Sequence, residues 1–201
     1  MKLRTVLAAC AAFAAANGPA MAENRSEYTK LDLDNGCVAI SEYEAGGSWS
    51  CEGYKGYGIL FSEGDLRQSV FYGYVGEWYA EGAFESFGGF NNVSGTIEWR
   101  LDGDTPVAAI QRWFIDNPEE TGEQTDETRG QVLVVAKVAQ PGVGDGCVVG
   151  YVDARENTQA NELARQIADE MAPGFRCRVD QPEYHGEQGL LAGEPMRTFG
   201  P

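Results

Sequence analysis

CVVGYVDARENTQANELARQIADEMAPGFRC, residues 147–177, carries the fold class of this chain in one stretch. Residues 147–153 are a short apolar run without alternation, as in a strand covered on both faces. From Asn157 the period lengthens to that of a helix. Ala160, Leu163, Ala164, Ile167, Ala168 and Met171 share one face, and Glu162, Arg165, Gln166, Asp169 and Glu170 lie elsewhere. Asn157 reads as the N-cap and Pro173-Gly174 as the stop. A strand over 147–153 advances about 20 Å at roughly 3.3 Å per residue. A helix over 157–172 returns about 24 Å at roughly 1.5 Å per residue. Cys177 thus comes back to the level of Cys147, where a disulfide would staple the helix to its own strand.

Working outward, the remaining chain reads mainly as strands. In TIEWRL, residues 96–101, Ile97, Trp99 and Leu101 fall on one face and Glu98 and Arg100 on the other, the pattern of a half-buried strand. Asp102-Gly103-Asp104 and the apolar stretch 107–115 then make a hairpin. Residues 132–136, VLVVA, are apolar on both faces and belong at the centre of a sheet. Further strands are expected over 38–41, 57–62 and 68–75. The sum is a single α+β domain over residues 23–180: a mostly antiparallel sheet of about six to seven strands with one C-terminal amphipathic helix packed on it. GEWYAEGAFESFGGFNNVSG (76–95) and NPEETGEQTDETRG (117–130) read as irregular segments, and the aperiodic tail, 181–201, reads as disordered.

Residues 1–22 have the parts of a secretory signal peptide: Met1-Lys2-Leu3-Arg4, an apolar run over 5–16, and Ala20-Met21-Ala22 before Glu23. The run is too short to span a bilayer. LAAC, residues 7–10, resembles a lipid-attachment site, but only Thr5 and Val6 separate Arg4 from Leu7, so cleavage after Ala22 is expected. Removing Cys10 leaves Cys37, Cys51, Cys147 and Cys177, an even set suited to two disulfides in an oxidising compartment. With Cys147 assigned to Cys177, Cys37 is left for Cys51. The expected location is periplasmic or secreted, with no stable membrane insertion.

The charge excludes some partners. The chain has 15 Lys and Arg against 31 Asp and Glu, a formal net charge of −16, and loss of Lys2 and Arg4 leaves 13 bases and a net charge of −18. Such a surface repels nucleic acid and anionic lipid, and attracts cationic proteins.

YTKLDLDNGC, GYKGYGILFSEGDLRQSVFYG, TIEWRL, RWFIDN, GQVLVVAKV and GCVVGYVDARENTQANELARQIADEMAPGFRC together resemble a group of exported alphaproteobacterial hypothetical proteins, over residues 28–177. The resemblance implies export and carries no functional residue over.

Most site chemistry lacks its residues. The sole histidine, His185, sits in the tail, without the partners of a nucleophile relay. All four mature cysteines are spent on disulfides, and no C-x-x-C pair or phosphate-binding glycine loop occurs. Asp32-Leu33-Asp34-Asn35-Gly36 begins like a calcium loop, but Cys37 and Tyr43 stand where glycine and glutamate are needed. No catalytic residue, metal site or cofactor is therefore expected. Asp65 with Arg67, and Asp153 with Arg155, are acids beside bases at strand ends, and each has a plain reading as a turn ion pair. Trp78, Tyr79, Phe84, Phe87 and Phe90, in a glycine-rich segment, could form a stacking surface for a glycan or an apolar groove. The expected function is a non-catalytic binding or structural module. The alternatives are a carboxylate-based cell-envelope hydrolase and an acidic, inhibitor-like protein that captures a cationic partner.

Overall fold

The structure, a computed structural model, describes residues 24–117 and 124–199. The expected signal peptide, residues 1–22, and residues 118–123 of the acidic loop lie outside the described residues. The elements, in chain order, are β1 Arg25–Lys30, β2 Cys37–Tyr43, β3 Gly46–Tyr54, β4 Tyr57–Gly64, β5 Arg67–Tyr72, β6 Glu85–Phe87, β7 Asn91–Asp102, β8 Thr105–Ile115, β9 Gly130–Lys137, β10 Val148–Asp153, α1 Ala160–Glu170, β11 Glu183–Tyr184 and β12 Pro195–Arg197. Short 3-10 turns lie at Glu77–Glu81 and Ala172–Gly174.

The fold is α+β, and mostly antiparallel as expected, but its strands divide among three sheets rather than one. A six-stranded sheet runs β1-β7-β8-β9-β10-β11, a four-stranded meander runs β2-β3-β4-β5, and β12 pairs with β6. Only β10 and β11 within these sheets run parallel.

The large sheet is the middle layer. Its strand β7 points Ile97, Trp99 and Leu101 at the meander, where they join Ile59, Phe61, Val70 and Tyr72 in one apolar core. Its other face, through Ile110, Leu133, Val135 and Val149, receives Ala160, Ala164, Ile167 and Ala168 of α1 in a second core. Complete burial of side chains such as Ile97 and Leu101 stabilises the fold by about 1.5–3 kcal/mol each.

The alternation in TIEWRL is present, but its polar face does not meet water. Glu98 and Arg100 are buried beneath α1. The helix brings matched charges: Arg165 Nε donates to Glu98 at 2.6 Å, and Arg100 Nη2 donates to Asp169 at 2.5 Å. The helix also begins later than Asn157. The Asn157 amide instead donates to Asp153 O and Glu187 O, and its Oδ1 accepts the Glu187 N–H, so Asn157 ties down the tail rather than capping α1. Met171, expected on the buried face, is exposed at the helix end.

Both disulfides form as expected. Cys37–Cys51 joins directly opposed residues of β2 and β3, and Cys147–Cys177 ties the start of β10 to the chain beyond α1.

The tail is the main correction. Far from disordered, residues 181–199 wrap the molecule. β11 pairs with β10, Ala192 enters the main core, and β12 pairs with β6. Tyr184 donates to the carbonyls of Ala192 and Gly193, which closes the tail on itself. The tail crosses Gly130 so closely that a Cβ there would lie 1.9 Å from Leu191 O. Its order comes from long-range contacts, which need no periodicity. His185 is accordingly held, its N–H on Tyr151 O and its ring against Gly150, with a buried Nε2 that has no hydrogen-bond partner.

Candidate binding groove

The inner face of the meander is spent on the core, through Cys51, Ile59, Phe61, Val70 and Tyr72. The outer face is built differently. Ser41 pairs with Ser48, Ser48 with Ser62, and Ser62 with Ser69, so one row of small hydroxyl residues crosses all four strands in register. The Ser48 and Ser62 hydroxyls lie 3.0 Å apart and hydrogen-bond to each other. The neighbouring row is apolar at three of its four places: Val38, Ser50, Leu60 and Phe71. Small side chains keep the floor low. Between Ala39 and Ser41 a bulge interrupts the ladder, leaving Ile40 unmatched. Bulges re-aim side chains, and Ile40 joins Ser41 and Tyr43 at the rim of the floor.

The wall is the 76–84 segment. It stands because Tyr79 packs its ring edge-on against Phe71, with centroids 4.4 Å apart, and accepts the Gly146 N–H at 2.9 Å. Burial pushes the Tyr79 hydroxyl far above its ordinary pKa, so it remains a neutral phenol. Trp78 stacks behind Tyr79 and donates to Gly144 O. Thr198 donates to Gly82 O and accepts the Phe84 N–H, so the C-terminal strand props the wall from behind. Gly82, at φ 98°, makes the left-handed turn that ends the 3-10 segment.

Between floor and wall lies a groove of about 570 Å³, lined by Ile40, Leu60, Val75, Ala83 and Phe84 among apolar residues and by the serine hydroxyls among polar ones. Among the described residues, Glu77 is the single charged one lining it. The volume falls in the range of small-ligand sites, about 300–1,000 Å³.

The five aromatic candidates do not assemble into one stacking surface. Phe84 lines the groove, and Tyr79 contributes to its wall while otherwise buried. Phe87 faces the core, edge-on to Trp113 and Tyr151. Trp78 lies on the far side of the wall, under the Arg178 guanidinium and against Phe199. Phe90 is exposed near β5 with the Arg67 guanidinium over its ring. Alternating rings on a folded segment point to different layers, which the sequence spacing alone does not reveal.

The two acid–base pairs have structural roles. Asp65 and Leu66 both adopt left-handed backbone in the turn from β4 to β5, and Arg67 donates to the Asp65 carboxylate at 2.6 Å across it. Asp153 is fully buried and accepts the N–H groups of Arg155 and Gly189, which pins the tail. Arg155 donates instead to the carbonyls of Asp126 and Arg129. The Asp32 carboxylate accepts the N–H groups of Asp34 and Asn35, an ordinary Asx turn. Among the described residues no three His, Cys, Asp or Glu side chains gather as metal ligands, and no helix is long and apolar enough to cross a membrane.

One buried pair went unread in the sequence. Glu85 accepts hydrogen bonds from the Val148 N–H and from Arg197. Burial pushes its carboxyl up to about 7, against the opposing pull of Arg197 and Val148. Nothing about ESF in a glycine-rich stretch signals such a site.

Fold and groove together describe a disulfide-stapled α+β protein with an apolar, hydroxyl-floored cleft on its outer sheet. In comparison with family models, curated proteins and solved structures, nothing matches this chain.

Proposed function

We propose that this chain is an exported, non-catalytic binding protein of the periplasm or extracellular space, and that the groove over the serine row is its binding site. One observation carries the reading: the groove has the size and apolar lining of a ligand site, while among the described residues Glu77 is the only carboxylate that lines it. Hydrolysis by paired carboxylates calls for two such groups across a substrate. Two disulfides, the even cysteine set and the signal-like residues 1–22 support an oxidising destination. An exported protein that begins at Glu23 and weighs four hydrogens less than its reduced form, by intact-mass measurement, is the expected product.

The groove is tested with Nile red, a neutral apolar dye. The mature oxidised chain is expected to raise its fluorescence, and Ser62→Trp, which fills the floor, to abolish the rise. Equal enhancement by wild type and Ser62→Trp would remove the groove from consideration.

A further inference from the structure

Resting on the groove as a binding site, we infer that its partner is an extended polypeptide segment with alternating basic and apolar residues, which adds as a fifth strand to the free edge of β2.

The meander has two edges, and they are treated differently. The β5 edge is closed: Leu66 O accepts the Asn91 N–H, Gln68 O accepts the Ser86 hydroxyl, and the Ser69 hydroxyl accepts the Glu85 N–H. Among the described residues, nothing pairs with the outer edge of β2. Six of its seven residues are exposed, with Val38 at 74 %, Ile40 at 62 % and Tyr43 at 59 %. An edge strand is ordinarily guarded by charge, proline, brevity or a bulge. Here the bulge falls at Ile40, in the strand that lines the groove, and the stretch Val38-Ala39-Ile40-Ser41 carries no charge.

The backbone groups at that edge point outward. Glu52 N–H donates to Gly36 O, which makes the next pair, Cys37 with Cys51, the non-hydrogen-bonded one in the antiparallel alternation. Cys37, and Ala39 two residues on, therefore present their N–H and C=O groups to an incoming strand. A strand there extends the groove floor by one strand: every second side chain falls on the groove side, beside Ile40 and Tyr43, and the intervening ones project to the opposite face of the sheet.

Charge selects the partner. Glu42, between the groove-lining Ser41 and Tyr43, faces the side to which the intervening residues project, and Glu44 follows at the end of β2, whereas among the described residues no Lys or Arg lines the groove. A second copy of the chain, at net −16, would bring like charge to the same edge. A basic segment brings the complement.

The test uses acetyl-KVKVKVK-amide and the mature oxidised chain in calorimetric titration. Binding roughly tenfold or more tighter than that of acetyl-EVEVEVE-amide, weakening as salt rises, is expected. Binding is also expected to be lost when alternate peptide nitrogens are methylated, which breaks strand pairing without touching the protein, and to weaken in Ile40→Lys. Equal binding of the Lys and Glu peptides overturns the choice of a basic partner, and undiminished binding of the methylated peptide overturns edge pairing. If the Lys peptide fails to bind while Nile red still responds to Ser62→Trp, this inference falls and the groove stands. If the dye also fails, both fall.

Discussion

Arg197 in β12 places Nη2 2.5 Å from Oε1 of Glu85 in β6, and both side chains are almost entirely removed from water. The pair joins segments 112 residues apart and closes the C-terminal strand over the wall of the groove. A buried charge is costly without its partner.

Arg197→Ala is therefore expected to destabilise the chain by about 3–5 kcal/mol in denaturant unfolding, because Glu85 is left buried and unpaired. Replacing both partners, Glu85→Leu with Arg197→Met, should recover most of that loss. A single Arg197→Ala change within experimental error of wild type would show that the strand is held by other contacts.

The same carboxyl gives a pH signature. Its folded pKa, about 7, lies above its ordinary value of 4.5, since burial penalises the charge. The folded state thus binds the proton more tightly than the unfolded state. This stabilisation is fully present below about 4.5 and is lost as pH rises through about 7. Wild type compared with Glu85→Gln should lose up to about 3 kcal/mol across that interval. Melting curves of the two proteins from pH 4.5 to 8 that run parallel would refute it.

The two ion pairs beneath α1 should rank by burial. Arg100, with Ser26, Asn24 O and Asp169 as acceptors, is the more enclosed, so Arg100→Ala should cost about 3 kcal/mol. Arg165 is open on its outer side, and its loss leaves Glu98 still accepting from the Ser26 hydroxyl, so Arg165→Ala should cost less, about 1 kcal/mol. The reverse order in thermal melts would mean that desolvation does not govern this interface.

The disulfides should also differ. Cys147–Cys177 spans 30 residues and Cys37–Cys51 spans 14. Restriction of the unfolded chain then predicts losses of about 4 and about 3 kcal/mol respectively for the paired alanine variants. Denaturation of the two double variants measures the order directly.

The elements legible in the sequence are those whose geometry is local. The β7–β8 hairpin, the apolar strands β9 and β10, the helix that follows them and the Cys147–Cys177 staple all depend on a hydrophobic period or on the length of a strand and a helix. β1 and β3 were missed. RSEYTK and GGSWSCEGY carry too many polar and small residues to show an apolar face. β6, β11 and β12, at two or three residues each, are too short to show a period at all.

The site was less legible than the fold. Its floor depends on register: Ser41, Ser48 and Ser62 line up only once two hairpins have paired them, and each alone reads as an ordinary polar strand residue. Its wall uses two of the five aromatic residues that composition brings forward, because the turn at Gly82 and the pairing of β6 send the others elsewhere.

Sequence by itself determined the α+β class, the pairing of Cys147 with Cys177 and the acidic surface, since period, chain length and charge count act over short distances or over the whole chain at once. The tertiary structure alone decided that Glu98 and Arg100 face a helix, that the tail is a bound strap, and that no described residue pairs with one edge of the meander. Those outcomes turn on which distant groups compensate a buried charge or occupy a backbone edge, and that partner choice is made only when the layers meet.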